Sequence, residues 1–208
     1  MKKTVLTALI FLLIGLALGY LLFSALDKSG AEPLELPSPQ SKQSQLTSAA
    51  LSAAELIKNG SFDKLAETVH PEDGVYFVPY SYVDKDANQH FISEQVAAFG
   101  TDERSYLWGY TDGEGAPIEL TPKQYFEKFV YDEDYLSAPI IGRNYITMSG
   151  NSIENVGEAF PDCEFVDFHF SGFDEQYAGM DWTTLRLVFR EYEGAYKLVA
   201  VIHAQWTI

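Results

Sequence analysis

From residue 163 onward the chain alternates apolar and polar residues with a period of two, which commits this stretch to extended strands. Segments 163–173, 182–191 and 195–206 read as three long strands, the last two joined at Glu193-Gly194. A two-residue hairpin loop there fixes the pairing register. It sets Phe189 opposite Leu198, Leu187 opposite Ala200 and Leu185 opposite Ile202 on one face. On the other face Val188 meets Val199, Arg186 meets Val201, Thr184 meets His203 and Trp182 meets Gln205. The first face is wholly apolar and the second mixed, a sorting that a one-residue slip would scramble.

Upstream, the pattern turns helical. Ser48 opens a helix with Ala50, Leu51, Ala54 and Ile57 on a 3.6-residue period, ending at Asn59-Gly60. Ser61 caps a second, shorter helix whose buried stripe is Phe62, Leu65, Ala66 and Val69. Residues 75–83 (VYFVPYSYV) read as a strand that Pro79 confines to an edge or a bulge. A brief helix follows Ser93, a strand covers 105–110, and Thr111-Asp112-Gly113-Glu114-Gly115 forms a tight turn leading to Ile118 and Leu120. Thr121-Pro122 starts a helix that buries Tyr125, Phe126, Phe129 and Val130. The acidic run Asp132-Glu133-Asp134 beyond it reads as solvated.

Leading helices, an interposed helix and long C-terminal strands make an α+β domain, with helices packed on one face of a curved antiparallel sheet. This order resembles the cystatin-like, or nuclear transport factor 2-like, superfamily, and the resemblance implies a conical pocket between sheet and helices. Four stretches are similar to a widespread group of exported bacterial proteins: HPEDGVYFVPYSYVD (70–84), YLWGYTDGEGAPIELTPKQYFEKFVYD (106–132), GMDWTTLRLVF (179–189) and IHAQWTI (202–208). That resemblance implies a surface location and no reaction. The chain departs from the group's lipoproteins in having no cysteine just after its apolar N-terminal run.

That run, residues 4–26, contains 23 residues without a charge. As a helix it would span about 34 Å, enough to cross a bilayer core. It is longer than a secretory h-region and lacks a small-x-small cleavage pair. Residues 1–26 therefore read as a retained signal-anchor, with a cleaved signal and secretion as the alternative. Lys2 and Lys3 place the N-terminus in the cytoplasm and the rest outside. Gly15 and Gly19 form a G-x-x-x-G spacing, although glycine is common in membrane helices. Residues 27–47, rich in Pro, Ser and Gln, read as a flexible linker, and residues 48–208 as a single extracytoplasmic domain.

The net charge is −16, and residues 48–208 hold 27 of the 30 acids but 10 of the 14 bases. A domain so acidic repels phosphate backbones, which argues against nucleic acid as a partner. With Cys163 alone, no internal disulfide can form, and the fold must rest on its apolar core. The flanking Asp162 and Glu164 also oppose a reactive thiolate.

Several polar constellations compete as sites. Asp84-x-Asp86-x-Asn88 imitates a calcium loop but has Gln89 and Gln95 where Gly and Glu are required. His70, His90, His169 and His203 show no metal-ligand spacing, and nothing implies a cofactor or metal. Asp167, His169 and Ser171 alternate along one strand about 6.6 Å apart, too far for a converging triad. The mixed face of the last hairpin is the best candidate: Trp182, Arg186, His203 and Gln205, joined by Asp167 and His169 as ligand-binding residues. An Arg186 ion pair in a packed layer is the competing explanation. The expectation is a membrane-anchored, non-enzymatic module that binds a small ligand or an envelope protein. The alternatives are an isomerase, dehydratase or hydrolase using Asp167, His169 or His203, or a structural homodimer.

Overall fold

Alternation and helical periodicity both survive into the structure, a computed structural model that describes residues 39–207. The apolar run 4–26 and most of the expected linker lie outside the described residues. Among the described residues no helix is long and apolar enough to cross a membrane.

Helix α1 (Pro39–Lys58) starts at Pro39 rather than Ser48. Proline is well placed in a first helical turn, where its missing N–H has no intrahelical partner to lose. Leu46, Ala50, Ala53, Ala54 and Ile57 form its buried stripe. It ends at Gly60, whose φ of +60° suits a residue without Cβ. Helix α2 (Phe62–Thr68) buries Phe62, Leu65 and Ala66. Strand β1 (Val75–Val78) is shorter than the sequence suggests because Pro79 has no amide for the ladder. Then come β2 (Gln89–Phe91), α3 (Ser93–Ala97) and the hairpin strands β3 (Tyr106–Tyr110) and β4 (Pro117–Leu120). Helix α4 (Pro122–Tyr125) has the expected start: Thr121 Oγ1 accepts from Gln124 N, and Gln124 Oε1 accepts from Thr121 N at 3.0 Å. It continues into a π-helical turn, Phe126–Val130. Strand β2, strand β5 (Ile140–Arg143) and the short α5 (Val156–Ala159) are elements beyond those read from the sequence. Strands β6 (Glu164–Phe170), β7 (Thr183–Tyr192) and β8 (Ala195–Gln205) complete the chain.

Six strands form one sheet in the order β2-β1-β8-β7-β6-β5, and β3 and β4 pair separately. The sheet is mixed rather than antiparallel, since β1 lies parallel to β8, with Phe77 beside Val201. The β7–β8 register matches the expected Phe189–Leu198 pair and then shifts. Val188 faces Ala200, Arg186 faces Ile202, Thr184 faces Ala204, and Thr183 faces Gln205. Val199 is the extra residue of a bulge. Every side chain from Leu198 to Ile202 is apolar and buried, so either register buries apolar groups on both faces.

On one face of the sheet the helices pack over Val166, Phe168, Leu185, Leu187, Phe189, Leu198 and Val201. Where the superfamily resemblance implies a conical pocket, aromatic side chains interlock. Phe77 meets the rings of Phe91, Phe99, Trp108, Tyr125 and Phe126, and Trp108 stacks on Tyr125 at 3.8 Å. A second apolar cluster, with Val78, Val83, Val156, Phe160, Val188 and Ile202, lies on the outer face under the segment that carries α5.

Candidate ligand-binding site

The Val199 bulge divides the sequence-predicted site residues between the two faces. Asp167 and Arg186 pair across β6 and β7 on the outer face, and His169 packs against Trp182 there at 6.0 Å between ring centroids. His203 lies opposite Leu185 on the helix-facing side, where its ring stands edge-on to Phe129. Gln205, opposite Thr183, goes with it. The expected cluster of Trp182, Arg186, His203 and Gln205 is therefore not one surface.

On the outer face Arg186 is fully buried. Its Nε and Nη2 donate to the two oxygens of Asp167 at 2.7 and 2.9 Å, and Nη1 donates to Glu154 at 2.5 Å. The guanidinium lies 5.0 Å from the Phe165 ring. Burial alone would lower the Arg186 pKa, but the two carboxylates outweigh it and raise it. Glu154 moves up, because burial penalises its charge more than Arg186 relieves it. Asp167 also accepts from the amide and hydroxyl of Thr147, both at 3.1 Å. The network thus ties the loop holding Thr147 and Glu154 onto the sheet. His169 contacts Thr184 at 2.8 Å and Ser171 at 3.2 Å. Ser171 reaches the imidazole because the strand ends at Phe170, although alternation along a strand argues against such a contact. Asp167 is turned to Arg186, so the three make no triad. Burial holds His169 below its ordinary pKa, in the neutral form.

On the helix-facing side His203 joins a network that the sequence left hidden. The Tyr135 hydroxyl donates to Asp132 Oδ1 at 2.8 Å and lies 2.7 Å from Thr183 Oγ1. Both Thr183 Oγ1 and Asp132 Oδ2 lie 3.2 Å from His203 Nε2, and Nδ1 lies 3.3 Å from the Pro79 carbonyl. Asp132, read from sequence as solvated, is exposed as a whole residue, but its side chain is 26% exposed and turns to His203. Burial is the largest single influence and would raise its pKa, but the interactions with His203 and the Tyr135 hydroxyl together outweigh it and lower the pKa.

Cys163 lies near Arg190, yet burial still pushes its thiol up. Asp84 serves a polar turn, its Oδ1 accepting from Asp86 N at 3.0 Å while its own amide donates to Asn88 Oδ1.

Five of the best-formed surface grooves among the described residues are lined by none of Asp167, His169, Arg186 and His203. One, of about 480 Å³, is lined by Tyr80, Tyr82, Tyr110, Thr111, Asp112, Ser152 and Ile153. Its walls follow from local chain geometry. Pro79 ends β1 and turns the chain toward Tyr80 and Tyr82. Gly109, at φ +152°, sits where the β3–β4 register slips, and a Cβ there would come within 3.1 Å of Pro79 Cγ. That close approach brings Tyr110 and Asp112 beside Tyr80, whose hydroxyl lies 3.5 Å from the Asp112 amide. The third wall is the loop tied down by Arg186. Ser152 bonds Thr207 at 2.9 Å, and the Asn155 side chain bonds both the amide and the carbonyl of Val83 at 2.8 and 2.9 Å. Tyr82, Tyr110 and Ile153 remain 52, 57 and 70% exposed. The sequence signal for this groove is aromatic residues interleaved with polar ones in VPYSYVD and GYTDGE. Read along the chain, those stretches carry a family resemblance and give no sign that they share a surface.

Comparison with known proteins adds little to this geometry. No protein-family model matches the chain, and no curated protein is similar to it at a significant level. Among solved structures, Aln2 from a Streptomyces species aligns over 82% of this chain and 94% of its own length, at 10% identity and a TM-score of 0.36. A structure described as a putative calcium/calmodulin dependent protein kinase II association domain, from Xanthomonas campestris, aligns over 79% and 86%, at 14% identity and a TM-score of 0.31.

Proposed function

We propose that this chain is a membrane-anchored, extracytoplasmic module of nuclear transport factor 2-like build that binds a ligand without transforming it. One observation carries the reading. Buried Arg186 is engaged with Asp167 and Glu154, and His203 with Asp132, while Tyr82, Tyr110 and Ile153 keep apolar area in water around a polar-rimmed groove. Exposed apolar surface beside a few placed polar groups is characteristic of binding sites. The uncharged run 4–26 behind Lys2 and Lys3 supports the anchor and the outward orientation.

The test is a thermal-shift and NMR screen of the full-length protein in detergent against small envelope metabolites and peptides. Binding should weaken in Tyr82→Ala and Tyr110→Ala. Hits indifferent to both substitutions would overturn the groove as the site. Protease added to intact cells should digest residues 48–208, and full protection there would overturn the orientation.

The Asp132–His203–Tyr135 network favours a second reading, an acid–base enzyme of the isomerase, dehydratase or hydrolase kind. Under it, His203→Gln would abolish a turnover that Tyr110→Ala leaves intact.

A further inference from the structure

We infer that the tyrosine groove takes an organic cation with a methylated ammonium head, of the quaternary class. This rests on the groove being the binding site and specifies its ligand.

Charge sets this groove apart from the four compared with it above. Each of those is lined by at least one lysine: Lys197, Lys58 and Lys123, Lys64 and Lys197, or Lys123. The groove of Tyr80, Tyr82 and Tyr110 has no basic residue, and its one charged lining group is Asp112. An anionic ligand would meet a carboxylate there with nothing to neutralise it, on a chain of net charge −16. A cation is drawn in by both.

The walls then choose among cations. Tyrosine faces carry the negative end of the ring quadrupole and attract ammonium groups within about 6 Å. Tyr80 is held in place, its ring edge-on to Phe129 at 6.1 Å. Tyr82 and Tyr110 are half exposed and open to a ligand. A primary ammonium must place three N–H donors on acceptors, and beyond the Asp112 carboxylate and the tyrosine hydroxyls the lining side chains offer only Thr111 and Ser152. The Thr111 hydroxyl already accepts from Ala116 N at 3.0 Å, and the Ser152 hydroxyl is paired with Thr207. A methylated head needs no acceptor beyond the Asp112 charge, and its methyl groups pack against the rings and Ile153.

The experiment is calorimetric titration of full-length protein in a choline-free non-ionic detergent with three probes. These are choline, its uncharged carbon isostere 3,3-dimethyl-1-butanol, and ethanolamine. Choline should bind saturably and at least about tenfold tighter than either of the others. Tyr110→Ala and Tyr82→Ala should each weaken choline by roughly 2- to 30-fold, the span of single cation–π contacts. Asp112→Asn should narrow the gap between choline and the isostere. Both tyrosines are exposed, so circular dichroism should be unchanged in these variants. Equal binding of the isostere, lost in Tyr110→Ala, would overturn the cation while leaving the groove as the site. Tighter binding of ethanolamine would overturn the methylated class. Choline binding untouched by either tyrosine substitution, or no choline binding at all, would overturn the inference outright.

Discussion

On its helix-facing side the sheet meets interlocked rings, Phe77 with Trp108, Tyr125 and Phe126. On its outer side it meets a loop held by the Asp167–Arg186–Glu154 network. The first closure is non-directional: it depends on volume, and any apolar group of the right size contributes. The second is directional and costs desolvation of three charges, so its net gain in stability is small. What it secures is the position of one loop, and that loop forms a wall of the groove. Stability and ligand geometry are thus assigned to opposite faces.

Substitutions can break or sharpen this contrast. Phe77→Ala and Arg186→Ala should each lower unfolding free energy by about 3–5 kcal/mol in urea titrations, one by leaving a cavity and the other by stranding two buried acids. They part company on compensation. Arg186→Met combined with Asp167→Leu and Glu154→Leu should recover most of the loss yet still weaken ligand binding, because the loop would keep only its Ser152–Thr207 and Asn155–Val83 bonds. Tyr125→Phe should raise stability by about 1–3 kcal/mol, since the Tyr125 hydroxyl is buried without a partner. A loss there would mean that the aromatic layer is more directional than its contacts suggest. Asn155→Ala should cost about 1 kcal/mol, for two bonds to Val83, with a larger fall in affinity than in stability. The smallest expected effect is a pH slope. Burial holds the folded pKa of His169 below 6.5, so the unfolded chain binds more protons just below that value. The stability from neutral His169 is complete above 6.5 and is lost as pH falls through it. His169→Gln should flatten that limb of an unfolding series run between about pH 7 and 5.

Most helices and the three long strands were legible because their burial follows simple periods, and Thr121-Pro122 announced a helix start through its own side chains. The Phe189–Leu198 pair was legible because the Glu193-Gly194 loop fixes the register beside it. One residue further along β8 the same logic fails. In Leu198-Val199-Ala200-Val201-Ile202 no polar residue marks which one is surplus, so the bulge left no trace in composition. Asp132 was hidden in an acidic run, since partners such as Tyr135 and His203 come together only in the folded chain. Polar residues disguised the beginning of α1 as tether, and β5 is short, with both isoleucines partly exposed. The groove escapes a linear reading for a related reason: its walls come from three separate stretches that Pro79, Gly109, Asn155 and the Arg186 network bring together.

The surplus residue in β8 has a consequence for how such a domain could change. Drawing Val199 into the ladder opposite Val188 would erase the bulge and slide every later residue of that strand by one position, carrying His203 out from among the aromatic rings to a place opposite Thr184, on the face of Arg186. One step of register, with no exchange of residue type, would transfer an imidazole from one compartment of the molecule to the other.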